Sequence, residues 1–197
     1  TTYNGRETAP AGASPSMLMD EAGKPLPFAT AVVSGRATGV PGAVKMLSVV
    51  HQQHGKLPWN SLFAGAEKTA RHGFIISPRL GRFLERGTFP QLSSPDAQAY
   101  FGAPGGGLKK IGDRLLNPAY ADFLARLAAQ GPDALYKGET ARRIVAKVHE
   151  GAYPGTITLA DLEAYKPAVS DALCNPYRAY LVCLPPPPSS GVGFLEL

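Results

Sequence analysis

The apolar positions of this chain recur at helical spacing through most of its middle and change to an alternating, β-like pattern only near the end. After Pro41, residues Val44, Leu47, Val50 and His51 share one face, which predicts a helix stopped by Gly55. A second helix is expected from about Pro58, carrying Trp59, Leu62, Phe63, Ala66 and Ala70 before Gly73, and the two should pack as a helical hairpin. Ser77-Pro78 and Ser94-Pro95 each couple a capping residue to a proline at the first helical position, announcing short helices to about Arg86 and Tyr100. Asn117-Pro118 opens the clearest helix, with Tyr120, Phe123, Leu124, Leu127 and Ala128 as its stripe and Gly131 as its stop. A helical turn follows over Asp133 to Lys137. The next helix runs from about Glu139 to Glu150, with Ala141, Ile144, Val145 and Val148 inward. Thr158 opens a last one, with Asp161 at the capping-box position where Glu or Gln is usual.

Beyond Lys166-Pro167 the period becomes that of strands. Ala168 to Cys174 and Ala179 to Leu184 read as a β-hairpin around Asn175-Pro176-Tyr177-Arg178. With Arg178-Ala179 as a two-residue loop, Tyr177 faces Tyr180 and Cys174 faces Cys183 in a non-hydrogen-bonded pair. Arg178-Ala179 lacks the Gly or Asn that such a turn prefers, and a longer loop would shift this register. The two cysteines are therefore read either as a disulfide or as two unpaired thiols. Pro185 to Pro188 ends the second strand, because proline cannot donate to the ladder, and Ser189-Ser190-Gly191 can open a helix. Residues 11–40, punctuated by Gly and Pro, read as loop with a short helical turn around Met17 to Asp20. Gly102 to Gly107 is another loop, since no Lys-Ser/Thr follows it in phosphate-cradle spacing.

Composition narrows the class. With 197 residues, 44% of them hydrophobic, the chain is long enough for one domain or a piece of a larger one. The 20 Lys+Arg outnumber the 15 Asp+Glu but are scattered, which argues against a nucleic-acid partner. No apolar run approaches the roughly 20 residues that span a bilayer, and the first residues lack the basic and apolar regions of a signal peptide.

The chemistry centres on Asn4-Gly5-Arg6-Glu7-Thr8-Ala9-Pro10, where a strand-like start meets a loop. The planar, permanently charged guanidinium of Arg6 suits a small carboxylate ligand; the competing reading is a solvated surface pair with Glu7. Thr1 has the chemistry of an N-terminal nucleophile, but no histidine or aspartate motif nearby supports its activation. His51 and His54 share a helix face without a third ligand at suitable spacing, so no metal site is expected.

Several stretches, taken together, resemble the large subunit of the gamma-glutamyltransferases. They are Asn4 to Pro10; Ser34-Gly35 with Gly39-Val40-Pro41-Gly42; His54 to Pro58; Gly112 to Leu115; Gly131-Pro132-Asp133 with Tyr136-Lys137-Gly138; Thr158 to Leu162 with Tyr165; and Pro186 to Gly191. They occur in the family's order and cover nearly the whole chain. Two positions depart from the pattern: Val192 stands where the proline motif ends in a second glycine, and Pro185 where an aliphatic residue is usual.

The resemblance implies a helix-rich α+β fold belonging to the αββα sandwich of the N-terminal-nucleophile hydrolases. It makes residues 1–197 a partial large-subunit domain, helical over about 41–165 with a β-hairpin over about 168–184. It implies a proenzyme that cleaves itself to expose a threonine on a small subunit. That enzyme passes the gamma-glutamyl group of glutathione and related amides to an amine or to water, without cofactor or metal. Arg6 matches the arginine that holds the alpha-carboxylate of that group, and no catalytic residue lies in this chain, which alone should be inactive. A periplasmic or extracellular location is implied, where a disulfide would persist. The rival readings are a cephalosporin or glutaryl acylase of the same superfamily and a non-catalytic binding module on the same scaffold.

Overall fold

Several of the helices begin where a side-chain oxygen accepts from backbone N–H groups that the helix itself cannot satisfy. The computed structural model describes residues 1–196. Strand β1 (Thr2–Asn4) leads into a loop-dominated stretch holding the single-turn helix α1 (Phe28–Ala31) and a 3-10 turn, Gly35–Ala37. Helix α2 (Ala43–His54), the 3-10 turn Trp59–Leu62, helix α3 (Ala64–His72) and the short strand β2 (Phe74–Ile75) come next. The serine caps act as expected: Ser77 accepts from the Leu80 N–H at the start of α4 (Pro78–Arg86), and Ser94 from Ala97 at the start of α5 (Pro95–Phe101). After β3 (Arg114–Leu115), Asn117 caps α6 (Pro118–Gln130) by accepting from Tyr120.

Helices α7 (Asp133–Tyr136), α8 (Gly138–Val148) and α9 (Leu159–Ala164) complete the helical part. They enclose the larger core cluster, in which Val40, Tyr136, Ala141, Val148, Ile157, Leu162 and Tyr165 are buried and Ile144 and Val145 pack alongside. A smaller cluster of Ile76, Leu84 and Leu115 fastens α4 to the β2–β3 pair. The chain then runs through β4 (Ala168–Ser170), β5 (Leu173–Tyr177), β6 (Tyr180–Leu184) and the short helix α10 (Gly191–Leu195).

Four expectations change. The helix expected from Pro58 is broken: a 3-10 turn ends at Leu62, and Trp59 turns its indole N–H to the Leu127 carbonyl at 2.9 Å, near the end of α6. Helices α2 and α3 consequently do not form a hairpin; α3 lies along α6, where Arg71 pairs with Asp122 at 2.9 Å. On two helices the inward face is rotated: Leu47 of α2 is exposed while Ser48 is buried, and Tyr120 of α6 is exposed while Ala121 is buried. Finally, the strand expected over Ala168 to Cys174 is two strands. Ala168–Ser170 leaves the hairpin to pair antiparallel with β1, so the hairpin proper covers residues 173–184.

Within that hairpin β5 and β6 pair Tyr177 with Tyr180 and Cys174 with Cys183. The cysteines form a disulfide, with Cα atoms 4.1 Å apart. Arg178, first residue of the loop, has φ 55°, so the chain makes its tight turn with a residue other than glycine in the left-handed half of the map.

Candidate functional site

Strand β1 and the Asn4-Gly5-Arg6 turn form one wall of a cleft of about 450 Å³, and Pro185 to Ser189 form the other, with Ala168 and Ser170 between them. Pairing of β1 with β4 brings these walls together: Asn4 lies opposite Ala168, and the hydroxyls of Thr2 and Ser170 meet at 3.0 Å. The two most distinctive stretches of the sequence thus converge from opposite ends of the chain.

Arg6 is exposed in this cleft, and among the described residues no carboxylate forms an ion pair with its guanidinium. The surface pair with Glu7 does not form. What is fixed instead is the Arg6 backbone. Its N–H donates to Asn4 Oδ1 at 2.9 Å, and its carbonyl accepts the Tyr165 hydroxyl at 2.7 Å. Beside it, a Cβ on Gly5 would lie 2.6 Å from Met46 Cβ, and one on Gly42 would lie 1.9 Å from the Tyr165 oxygen. Only hydrogen fits at either place, so the Arg6 turn rests directly on α2 and the tyrosine.

Tyr165 and Tyr136 support the Arg6 turn from the core. Their rings stack with centroids 6.2 Å apart and planes 12° from parallel. The Tyr136 hydroxyl donates to the Pro41 carbonyl at 2.9 Å and accepts the Lys45 N–H at 3.2 Å. Burial raises the pKa of both phenols above the usual tyrosine value, and the carboxylate of Glu7 adds to the rise at Tyr165, so both stay protonated at neutral pH. Lys137 reaches Asp133 at 3.2 Å and Glu163 at 3.4 Å, bridging α7 and α9 below; these hydrogen bonds raise its pKa.

Asp161 holds the next length of loop. It completes the capping box with Thr158 and also accepts the Ala11 N–H at 2.9 Å. The Ala11 bond is the main reason its carboxyl lies below the usual aspartate value, with the Thr158 bonds adding to it.

Other sequence candidates sit elsewhere. Thr1 is an exposed residue ahead of β1. His54 Nε2 meets the Tyr3 hydroxyl at 2.8 Å, and His51 donates to the Leu57 carbonyl at 2.8 Å while packing edge-on against Trp59. Both histidines act at the C-terminal end of α2, His54 fastening it to β1 and His51 to the turn that follows. Sequence reasoning gave no role to Tyr165, Tyr136 or the Asn4 side chain. The two tyrosines do belong to the motifs quoted above, but nothing in their spacing points to Arg6.

A helix-rich α+β scaffold carrying this cleft closely resembles the crystal structure of Helicobacter pylori gamma-glutamyltranspeptidase. The TM-score is 0.87 at 28% identity, over 96% of this chain and 53% of that one. The family model for gamma-glutamyltranspeptidase matches residues 1–197, and the chain belongs to that family. Among curated relatives, glutathione hydrolase 3 of Arabidopsis thaliana is 35% identical over 193 residues, covering 98% of this chain and 29% of its own length. The glutathione hydrolase proenzyme of Bacillus subtilis strain 168 is 35% identical over 195 residues, covering 99% of this chain and 32% of its own. The chain thus spans about a third of the length of the curated relatives it matches.

Proposed function

We propose that this chain is the carboxylate-recognising part of an enzyme that transfers or hydrolyses the gamma-glutamyl group of glutathione and related amides. The observation that carries the reading is the Arg6 guanidinium, free of ion-pair partners among the described residues and open to the Asn4–Arg6/Pro185–Ser189 cleft. A guanidinium fork binds a carboxylate through two parallel charge-assisted hydrogen bonds, which fixes a substrate's orientation as well as its charge. The alpha-carboxylate of a gamma-glutamyl group is such a partner, and it lies at the far end of the substrate from the amide to be cleaved. Holding it places the gamma-carbonyl at a defined distance from a nucleophile.

The nucleophile is a threonine outside this chain, on a small subunit released from the same precursor. Its hydroxyl adds to the gamma-carbonyl, the amine departs with a proton, and a gamma-glutamyl ester remains. Water then releases glutamate, or an amine takes the acyl group to form a new amide. The small subunit also completes the αββα sandwich, to which the two-stranded sheets here contribute. Chemistry of this kind needs no metal or cofactor and no nucleic acid. A periplasmic or extracellular setting fits the Cys174–Cys183 bond.

A glutaryl amide also carries a distal carboxylate, so the decisive experiment compares substrates in the full-length protein. Gamma-glutamyl anilide is turned over faster than glutaryl anilide, and Arg6→Lys raises KM for the former. The loss of roughly 1.5 to 3 kcal/mol corresponds to a rise of about 10- to 150-fold. An unchanged KM overturns the role of Arg6, and preference for the glutaryl compound makes the protein an acylase.

A further inference from the structure

We propose that Tyr165 is a positioning residue for carboxylate recognition, acting on the Arg6 guanidinium through the Arg6 backbone carbonyl. The inference rests on the role given to Arg6 above and deepens it. An arginine side chain has a long, flexible stem, and a productive ion pair requires that its starting point be fixed. Proteins often achieve this with a neighbouring carboxylate, at the expense of donors that a ligand would use. Here, among the described residues, no ion pair engages the guanidinium, and side chains hold the main chain on both sides. Asn4 takes the Arg6 N–H and Tyr165 supplies the bond to its C=O. The arginine is anchored at its root and keeps its donors free for the substrate.

Of the two anchors, Tyr165 ties the turn to the core. It is 5% exposed, and its stacking partner Tyr136 is 1% exposed. The Tyr136 hydroxyl is bonded at both Pro41 and Lys45. Gly42 leaves no slack on the open side of the Tyr165 oxygen. The hydroxyl therefore stands at one place, set by packing against α7 and α2, and the Arg6 carbonyl is registered to it. Asn4, by contrast, lies only two residues from Arg6 and shapes the turn locally.

The test uses the full-length protein and two anilides: the gamma-glutamyl compound and the 4-aminobutanoyl compound, which keeps the amine and the scissile amide but lacks the carboxylate. Tyr165→Phe keeps the ring stack and removes only the donor. It is expected to raise KM for gamma-glutamyl anilide roughly 3- to 10-fold, the equivalent of one net hydrogen bond, with kcat retained. Kinetics toward 4-aminobutanoyl anilide stay as they were, and in an Arg6→Ala background the substitution adds nothing. An unchanged KM, an equal loss on both anilides, or an additive loss in the double variant overturns the proposal. If Arg6→Ala alone leaves KM unchanged, the role of Arg6 fails first and this inference with it. Should Tyr165→Phe not fold, 4-fluorophenylalanine at this position fills the same space without donating and gives the same split. Incorporation of 4-aminophenylalanine, which donates, restores KM; loss with the donor and recovery without it overturns the proposal.

Discussion

Asp161 receives the backbone N–H of Ala11 at 2.9 Å, joining the loop after Arg6 to the first turn of α9 across 150 residues of chain. The same carboxylate accepts the Thr158 N–H at 2.8 Å and the Thr158 hydroxyl, so one side chain serves a helix cap and a tertiary strap at once.

Replacing Asp161 with Ala is expected to cost about 1 to 2 kcal/mol and to abolish hydrogen-exchange protection of the Ala11 amide. The effect depends on pH in a definite direction. The folded-state pKa lies below the unfolded value of about 3.9, so the stabilisation is fully present above that value and is lost as pH falls through the lower one. The stability gap between wild type and Asp161→Ala, measured by urea unfolding, should narrow in acid. A gap that stays constant from neutral pH into acid would show that the carboxylate's ionisation is immaterial.

Joining Cys174 to Cys183 closes a short loop, and by chain entropy alone such a bond stabilises by roughly 2.5 kcal/mol. Both residues are exposed among the described residues. A thiol reductant or the Cys174→Ser/Cys183→Ser double variant should therefore lower the unfolding free energy by a similar amount, measured by urea denaturation. Full alkylation of unfolded protein that was never reduced would contradict the bond.

The turn of that hairpin is built on a residue poorly suited to it. Only the first of its two loop residues, Arg178, has a positive φ, the pattern of a type II′ turn, in which that place favours glycine. Arg178→Gly should raise stability by about 1 kcal/mol, whereas Ala179→Gly should lower it through added chain entropy. Thermal unfolding of the two variants side by side tests the asymmetry.

Gly42 offers a complementary check on the packing that supports the Arg6 turn. A Cβ there meets the Tyr165 oxygen at 1.9 Å and the Gly5 carbonyl at 2.6 Å, neither of which can yield without moving the Arg6 turn. Gly42→Ala should cost about 1 to 3 kcal/mol and raise KM for gamma-glutamyl substrates in the full-length protein. Wild-type melting and kinetics together would show that the turn is more compliant than its packing suggests.

Local signals were the legible ones. Ser77, Ser94 and Asn117 announce their helices because a cap and its proline lie within one turn of each other, and the Cys174–Cys183 pairing follows from counting outward from a two-residue loop. What could not be read involves partners distant in sequence. Periodicity shows that α3 has an apolar face, yet not that α6 covers it in place of α2. The alternation of residues 168–174 is that of a strand, but the exchange of partners at Ser170 depends on β1 at the other end of the chain. The cleft suffered most: Arg6 stands out by its chemistry, whereas Tyr165 bonds to it from 159 residues away.

The β1–β4 ladder also governs when the cleft comes into existence. Thr2 and Ser170 are 168 positions apart, and bringing the ends of such a segment together costs roughly 4.5 kcal/mol of loop entropy before any contact rewards it. High-separation pairings of this kind form late and slow a fold relative to its local helices and hairpins. The α6 helix and the β5–β6 hairpin can assemble from neighbours alone, while the two walls around Arg6 meet only once the intervening core of α7, α8 and α9 has shortened the path between them. A substitution deep in that core, such as at Ile157 or Leu162, thus reaches the Arg6 cleft from a distance, by making its closure the first step to be lost.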